Sequence, residues 1–492
     1  MPLQVFSGET TPILEKGSFI IIEALPMDLK DVAKEILCDP ILSKLSDLAK
    51  EKKIPFFLVG GYIRDLLLGT PRKDYDFAIP KEVSSFIPVM EEELHFRFFK
   101  IGKEEKNTIT YRSIKSDLSF DLTFLQGQTI EEDLQRRDFT INTIAFSLLD
   151  ETFHWVKGAL EDIKKKVIRT VSNLSIDQDP LRMLRAVRYL STLNGFTLDK
   201  GLKEEISAKR EQLRILPGER SKMELDHILL SSQPEVGIRS LYESSLLFTL
   251  WPEMKGLEKL GQNEYHHIDV LSHTLLMIDK ISWAFDWIAQ KRGRISLNQH
   301  DWLSLYYAAL FHDMGKQDTY SKDEKGTVHF YHHESFSCQR VDKIMERLRF
   351  SNPMRNRILR LIQNHMRILN LTQEIKETAL KRLVHQIAEE TPLLVLHTLA
   401  DKEASRGILS IQIDEVVNDH CLRILELFEE KDIIHPPALI AGHDVMALGY
   451  SSGPKVGQIL DFIRKKQIEG DIKTREEALK VLQNECCPFQ EK

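Results

Sequence analysis

The sequence predicts an α+β protein: an N-terminal domain built on a small mixed sheet, followed by a predominantly helical neck, a second helical domain and a helical tail. Short apolar runs at 56–59, 75–79, 107–114 and 118–125 read as strands and alternate with helical segments between about residue 31 and residue 150. After Asp150 the pattern turns almost wholly helical, with apolar periodicity along Leu181 to Leu193 and Ser221 to Leu230. At 492 residues the chain exceeds one core, and ~100–200 residues per domain gives three or four.

The element order sets the expected boundaries. Residues 1–30 carry little pattern and are expected to form a partly ordered arm. Breaks at Trp251-Pro252, at Gly261-Gln-Asn263, after Arg406-Gly407 and at Pro436-Pro437 separate domains at 31–150, 151–260, 265–405 and 410–492. Hydrophobic content of 42% with 29% charged residues is ordinary for a soluble globular chain. No apolar run reaches the ~18 residues of a membrane span, and Met-Pro-Leu-Gln-Val lacks the basic start of a signal peptide, so a cytoplasmic location and no membrane partner are expected. The five cysteines, Cys38, Cys338, Cys421, Cys486 and Cys487, have neither disulfide-framework nor zinc-knuckle spacing. A net charge of −7 argues against a general nucleic-acid coat. Any RNA grip must therefore be assembled from separate basic clusters such as Arg136-Arg137, Lys164 to Lys166 and Arg464 to Lys466.

Chemistry concentrates first at Leu58-Val-Gly-Gly-Tyr-Ile-Arg-Asp65 and Asp74-Tyr-Asp76. A buried strand runs into Gly60 and Gly61, which let the backbone approach a triphosphate at the start of the next helix. Asp74 and Asp76 sit two apart on a strand and so share a face. Paired carboxylates repel unless a cation lies between them, as in magnesium-dependent phosphoryl or nucleotidyl transfer. Asp121, in Phe120 to Phe124, reads either as a third acidic group or as a plain strand-end carboxylate. In Glu132 to Asn142, Arg136 and Arg137 suit phosphate oxygens and Asp138 suits ribose hydroxyls; alone, the segment would read as a charged helix start. In Asp179-Pro-Leu-Arg182-Met-Leu-Arg185-Ala-Val-Arg188 the arginines stripe one helix face, while Asp179-Pro180 is also an ordinary helix cap.

These motifs, in this order and with Glu219-Arg220 after them, resemble the class II tRNA nucleotidyltransferase and poly(A) polymerase family. The resemblance implies that Asp74 and Asp76 hold catalytic Mg2+, and that Gly60, Gly61, Arg64, Arg137, Asp138 and Asn142 bind the nucleotide. It further implies that Asp179 and Arg182 read the base of CTP or ATP in place of a nucleic-acid template, that Arg185 and Arg188 lie near the triphosphate, and that the acceptor is the 3′ end of tRNA. Poly(A) synthesis is the alternative within the family. Gln178 stands where the family usually has glutamate. Only residues 125–135 separate Phe124 from Arg136, where many relatives carry a longer flexible loop associated with adding the last adenosine. Addition of CC alone, or A addition through another element, is therefore expected.

A second constellation comprises His273, His312-Asp313 in Phe-His-Asp-Met-Gly-Lys316, His332-His333, His365 and Asp401. A lone histidine on an apolar helix is usually structural, but imidazoles and carboxylates together bind a divalent metal that activates water. Residues 265–405 resemble an HD-superfamily phosphohydrolase domain, which implies His273, His312, Asp313 and Asp401 as metal ligands, with His333 and His365 as further candidates. A phosphohydrolase whose first domain senses nucleotides is the competing reading for the whole chain, and a scaffold role is the competing reading for this segment. In the tail, Lys455 after Gly453-Pro454, and Lys465, are expected to contact RNA phosphate; a plain helix start is the simpler account of the former. No protein partner is implied.

Overall fold

The computed structural model describes residues 26–70, 74–102, 109–115, 118–261, 268–405 and 411–485. The expected arm at 1–30 lies almost wholly outside these residues, as do the break at Arg406-Gly407, Cys486 and Cys487. The chain forms two compact units, one of residues up to Ser175 with Phe196–Leu202, the other of Ile176–Gly195 with Lys203 onward.

The first unit is built on one mixed sheet. Its strands are β1 (Phe57–Val59), β2 (Asp74–Ile79), β3 (Phe99–Ile101), β4 (Thr110–Lys115), β5 (Leu118–Phe124), β6 (Ile144–Ser147) and β7 (Phe153–Trp155), in the order β3-β4-β5-β2-β1-β6-β7. Only β2 and β5 pair in parallel; the other neighbours are antiparallel. Every residue of β1 is buried, as a central strand covered on both faces requires. Phe56 stacks on Phe77 at 5.0 Å and Tyr75 on Phe120 at 4.8 Å, so aromatic rings fill one side of the sheet. Asp39 caps helix Pro40–Lys52 and accepts the Tyr75 hydroxyl at 2.9 Å, which ties that helix to β2. β6 is buried at all four positions and so has no alternation to mark it as a strand. β7 corrects the expectation of a nearly strand-free chain after Asp150: it pairs with β6 and draws residues 151–175 into the sheet's unit. Val167–Ile168 pairs with Thr197–Leu198, which explains why Phe196–Leu202 returns to that unit.

The described residues of the second unit are helical apart from a small hairpin, Tyr320–Lys322 with Val328–Phe330. At its centre helix Thr391–Ala404 packs against Val270–Arg292 and Gln299–Phe311. Of its fourteen residues only Glu403 is not buried, the mark of a helix surrounded by others. Trp251, fully buried, meets Phe311 edge-on at 5.2 Å, so the expected break at Trp251-Pro252 is a packed corner leading into a short 3-10 turn. The tail has its own core of Ile440, Val445, Val456, Ile459, Ile463 and Leu482 beside helices Pro454–Glu469 and Arg475–Glu485.

Replacing Trp251 with alanine removes the largest of these fully buried side chains. It is expected to cost about 3–5 kcal/mol in the second unit, read as a lowered urea midpoint of its unfolding transition.

Candidate active site and metal centre

The head site begins where β1 ends. Gly60 turns at φ +80°, and a Cβ placed there would lie 3.1 Å from Asp76 Oδ2 and 3.4 Å from Arg137 Nη1. The bare backbone thus reaches both groups, and any side chain would fill the cradle as well as strain the turn. β2 carries Asp74, exposed at its first residue, and Asp76, partly buried and opposite Val59. Asp121 on β5 is in register with Asp76 and shares its face. Burial pushes the Asp76 carboxyl up to about 6; Arg137 opposes this, while the charges of Asp121 and Asp74 add to it. A carboxylate crowded by two others is relieved by a divalent cation, so this donor set fits a metal.

Arg64, on helix Gly61–Leu67, is buried and donates to Asp65 at 2.8 Å and to Asn142 Oδ1 at 2.7 Å. Asn142 Nδ2 in turn donates to Asp138 Oδ1 at 3.1 Å, so these three predicted residues form one buried relay. Arg137 donates through Nε and Nη2 to Asp133 Oδ2 at 3.1 and 3.0 Å, which fixes its fork with Nη1 beside Gly60. Asp133 sits on helix Ile130–Gln135, which is capped by Thr129. The short stretch between Phe124 and Arg136 is therefore mostly a helix that anchors Arg137.

In the second unit, Asp179 accepts from Leu181 N at 3.2 Å and from Arg220 Nη2 at 2.9 Å. Arg182 Nη1 lies 3.5 Å from Gln178 Oε1. Arg185 and Arg188 face Glu224, at 3.9 and 2.9 Å, a buried carboxylate on helix Gly218–Leu229. Sequence reasoning missed Glu224. Its signal was its place one turn from the buried Ser221 and Ile228, where a charge requires a partner.

The HD site draws on five segments. His273 comes from helix Val270–Arg292, His312 and Asp313 from the end of Gln299–Phe311, His333 from the start of His333–Arg347, His365 from the end of Asn352–Asn364, and Asp401 from Thr391–Ala404. All six are buried. Asp313 Oδ2 lies 3.1 Å from His312 Nε2 and 2.7 Å from Lys316 Nζ, and Oδ1 lies 3.3 Å from His333 Nε2. Asp401 Oδ1 lies 3.2 Å from His273 Nε2. The Nδ1 atoms of His312, His333 and His365 each meet a backbone carbonyl, of Ala309, Phe330 and Ile362, at 2.9, 2.9 and 2.7 Å. A carbonyl can only accept, so it fixes a proton on Nδ1 and turns Nε2 inward, the nitrogen that a metal would take. His273, His312 and Asp401 form one compact ligand group, and His312, Asp313 and His365 a second. Burial disfavours charge on His312, yet Asp313 beside it holds its pKa above the ordinary value; Asp313, despite burial, is held well below by His312 and Lys316.

Gly315 makes this assembly possible. A Cβ there would fall 2.1 Å from His333 O, so helix His333–Arg347 closes on the His-Asp turn only because the side chain is absent. Of the predicted His332-His333 pair, His332 is exposed and only His333 joins the site. His397, not singled out in the sequence, is fully buried one turn before Asp401, with its ring 5.2 Å from that of His312 and neither ring nitrogen hydrogen-bonded. The i, i+4 spacing to Asp401 was the signal available. In the tail, Lys455 and Lys465 are both exposed on helix Pro454–Glu469, with Lys455 Nζ 5.4 Å from the Tyr450 ring centre.

Residues 56–169 match the poly A polymerase head domain, 195–257 the probable RNA- and SrmB-binding site of polymerase A, and 266–405 the HD domain. A CC-adding tRNA nucleotidyltransferase of Thermus thermophilus is 32% identical over 433 residues, 86% of this chain and 92% of that protein. An A-adding tRNA nucleotidyltransferase of Deinococcus radiodurans is 30% identical over 433 residues, 86% of this chain and 93% of that protein. In fold, the chain resembles the Thermotoga maritima CCA-adding enzyme solved with tRNA, with a TM-score of 0.58 and 22% identity, covering 94% of this chain and 99% of the other. Head and HD matches together define a nucleotidyltransferase that carries an HD domain. The chain belongs to the tRNA nucleotidyltransferase and poly(A) polymerase family. No helix of the described residues is long and apolar enough to cross a membrane.

The Asp76 pKa has a thermodynamic consequence. An unfolded aspartate ionises near 3.8 and the folded one near 6, so the folded state holds this proton more tightly. Its contribution to stability is complete below 3.8 and is lost as pH rises through 6, by about 2–3 kcal/mol. With EDTA present, the melting temperature of the first unit should therefore fall more steeply between pH 4 and 6 in wild type than in D76N, and Mg2+ should restore wild type at pH 7 without raising D76N. Parallel pH profiles for the two proteins would contradict the assignment.

Proposed function

We propose that this chain transfers CMP, AMP or both from CTP and ATP to the 3′ end of tRNA without a nucleic-acid template, with Mg2+ held by Asp74 and Asp76, in the cytoplasm. The observation that carries the reading is the Gly60 turn, which sets bare backbone beside both Asp76 and Arg137 in a chain similar to CC-adding and A-adding enzymes. The terminal hydroxyl of the RNA attacks the α-phosphorus in line, forming the new O–P bond as the bond to pyrophosphate breaks. Bound Mg2+ would supply charge stabilisation at the attacking and leaving oxygens. Gly60 and Gly61 admit the triphosphate, Arg137 pairs with its oxygens, and Asp138, aligned through Asn142 and Arg64, accepts from the ribose. Asp179 and Arg182 hydrogen-bond the base edge; a wrong base leaves one of these polar groups without its partner, which is the source of selectivity. Arg185 and Arg188, braced by Glu224 on the neighbouring helix, would supply positive charge to the triphosphate in this reading. Lys455 and Lys465 contact the RNA backbone.

The compact helix at Ile130–Gln135 favours CC addition over full CCA synthesis. With tRNA lacking its last three nucleotides and labelled CTP and ATP, the expected product stops after the second cytidine. Completion to CCA overturns the CC-only expectation, adenosine addition only to tRNA ending in CC makes it an A-adding enzyme, and long adenosine tails on generic RNA make it a poly(A) polymerase. D74A and D76A should each lower incorporation by on the order of a thousandfold, and retention of activity by both would overturn the site.

The inward-facing imidazole nitrogens favour a second activity in the HD unit, hydrolysis of a phosphate ester by water on a divalent metal. Phosphatase and 2′,3′-cyclic phosphodiesterase assays with nickel, manganese or magnesium should show turnover that D313N abolishes and D76N retains. Blank assays with every metal would leave this unit a scaffold.

A further inference from the structure

Three neighbouring strands, β4, β5 and β2, place Arg112, Asp121 and Asp76 side by side, because Arg112 is the cross-strand partner of Asp121 and Asp121 that of Asp76. Strands in a sheet lie ~4.8 Å apart, so a row of this kind brings side chains of one face within reach of a shared cation. By position alone, Asp121 would be a third ligand beside Asp74 and Asp76.

Its hydrogen bonds argue otherwise. Arg112 Nε donates to Asp121 Oδ1 at 2.7 Å and Nη2 to Oδ2 at 2.5 Å, so one planar guanidinium engages both carboxylate oxygens. Bidentate charge-assisted pairs are among the strongest side-chain contacts, and swinging the carboxylate round toward a cation beside Asp76 would pull it out of the plane of this fork. Asp76 has no such fork upon it; its Oδ2 faces the open position over Gly60. The charge of Arg112 also acts on Asp76 and Asp74. Arg112 is 41% exposed and Asp121 20%, so the clamp lies at the rim of the site, where it can be altered without opening the core.

We propose that Arg112 is a positioning residue that holds Asp121 out of the metal shell, so that the head binds its cation with Asp74 and Asp76 alone. The inference rests on the reading of Asp74 and Asp76 as the metal pair. In its absence Asp121 would turn toward Asp76 and add a third negative ligand. Additional carboxylate ligands tighten divalent-cation binding, at a cost in the geometry that the two-carboxylate site presents to a triphosphate.

The test uses the full chain and two readouts: the Mg2+ concentration that half-saturates the rise in melting temperature of EDTA-treated protein, and the Mg2+ dependence of CMP incorporation. D121N should leave the half-saturating Mg2+ concentration within about twofold of wild type. R112M should lower it about three- to tenfold while slowing incorporation, and R112M/D121N should return it to the wild-type value. R112K, which keeps the charge without the fork, should fall between wild type and R112M. A structural role alone would not tighten cation binding. The proposal is overturned if D121N weakens Mg2+ binding as much as D76N does, or if folded R112M binds Mg2+ as wild type does. Should R112M fail to fold, D121N still decides. If D76N itself leaves Mg2+ binding intact, the metal-pair reading fails first, an outcome distinct from either of these.

Discussion

Like charges forced onto one face of a sheet govern the head of this protein. The alternation of β2 aims Asp74 and Asp76 to the same side, and the parallel pairing with β5 adds Asp121 beside them. Such a row is stable only with positive charge nearby, and the surrounding structure supplies it in fixed places: Arg137, clamped by Asp133, and Arg112, clamped on Asp121. The Gly60 turn leaves room for Arg137, the small helix before Arg136 anchors it, and the buried relay through Arg64 and Asn142 fixes Asp138 next to it in the chain. The sheet thereby presents a strong negative field at one point and directed donors around it, which is what a metal-bound triphosphate requires.

The helical unit reaches a similar balance by burial. Five imidazoles, two carboxylates and Lys316 share a buried interior, where an isolated ion would be severely penalised. Each carboxylate has a cationic or hydrogen-donating neighbour, and three of the imidazoles are oriented by backbone carbonyls three residues before them in the chain. Helix Thr391–Ala404 contributes Asp401 from the very middle of the bundle. Ligand geometry here is therefore a by-product of core packing, which is more rigid than any loop could be.

Much of this was legible in the sequence because it is local. The β1 run, the two-residue spacing of Asp74 and Asp76, the Gly-Gly turn and the His-Asp pair are each set within a few residues, and the structure finds β1, β2 and β5 at nearly the expected positions. What escaped depends on distant pairing. β6 is buried on both faces and shows no period, and β7 exists only as its partner. Glu224 acquires meaning only when its helix meets the arginine stripe, and Arg112 only when β4 is set in register with β5. His397 reads as one more apolar-face histidine until the rings of His312 and His365 pack against it. Each of these is a fact about a neighbour far off in sequence, and no periodicity within the segment records it.

The internal charge balance of the HD unit bears on how a cation enters it. Small metal-folded domains collapse only when the ion arrives, because their ligands have nothing else to hold them. Here the helices pack through an apolar core of their own, and Lys316 and the histidine ring of His312 already offset Asp313. The apolar core, rather than an ion, holds the bundle together. A cation entering the site proposed here would have to exchange with the Lys316 ammonium, and metal content would then follow the supply of ions around the protein rather than the fraction that has folded.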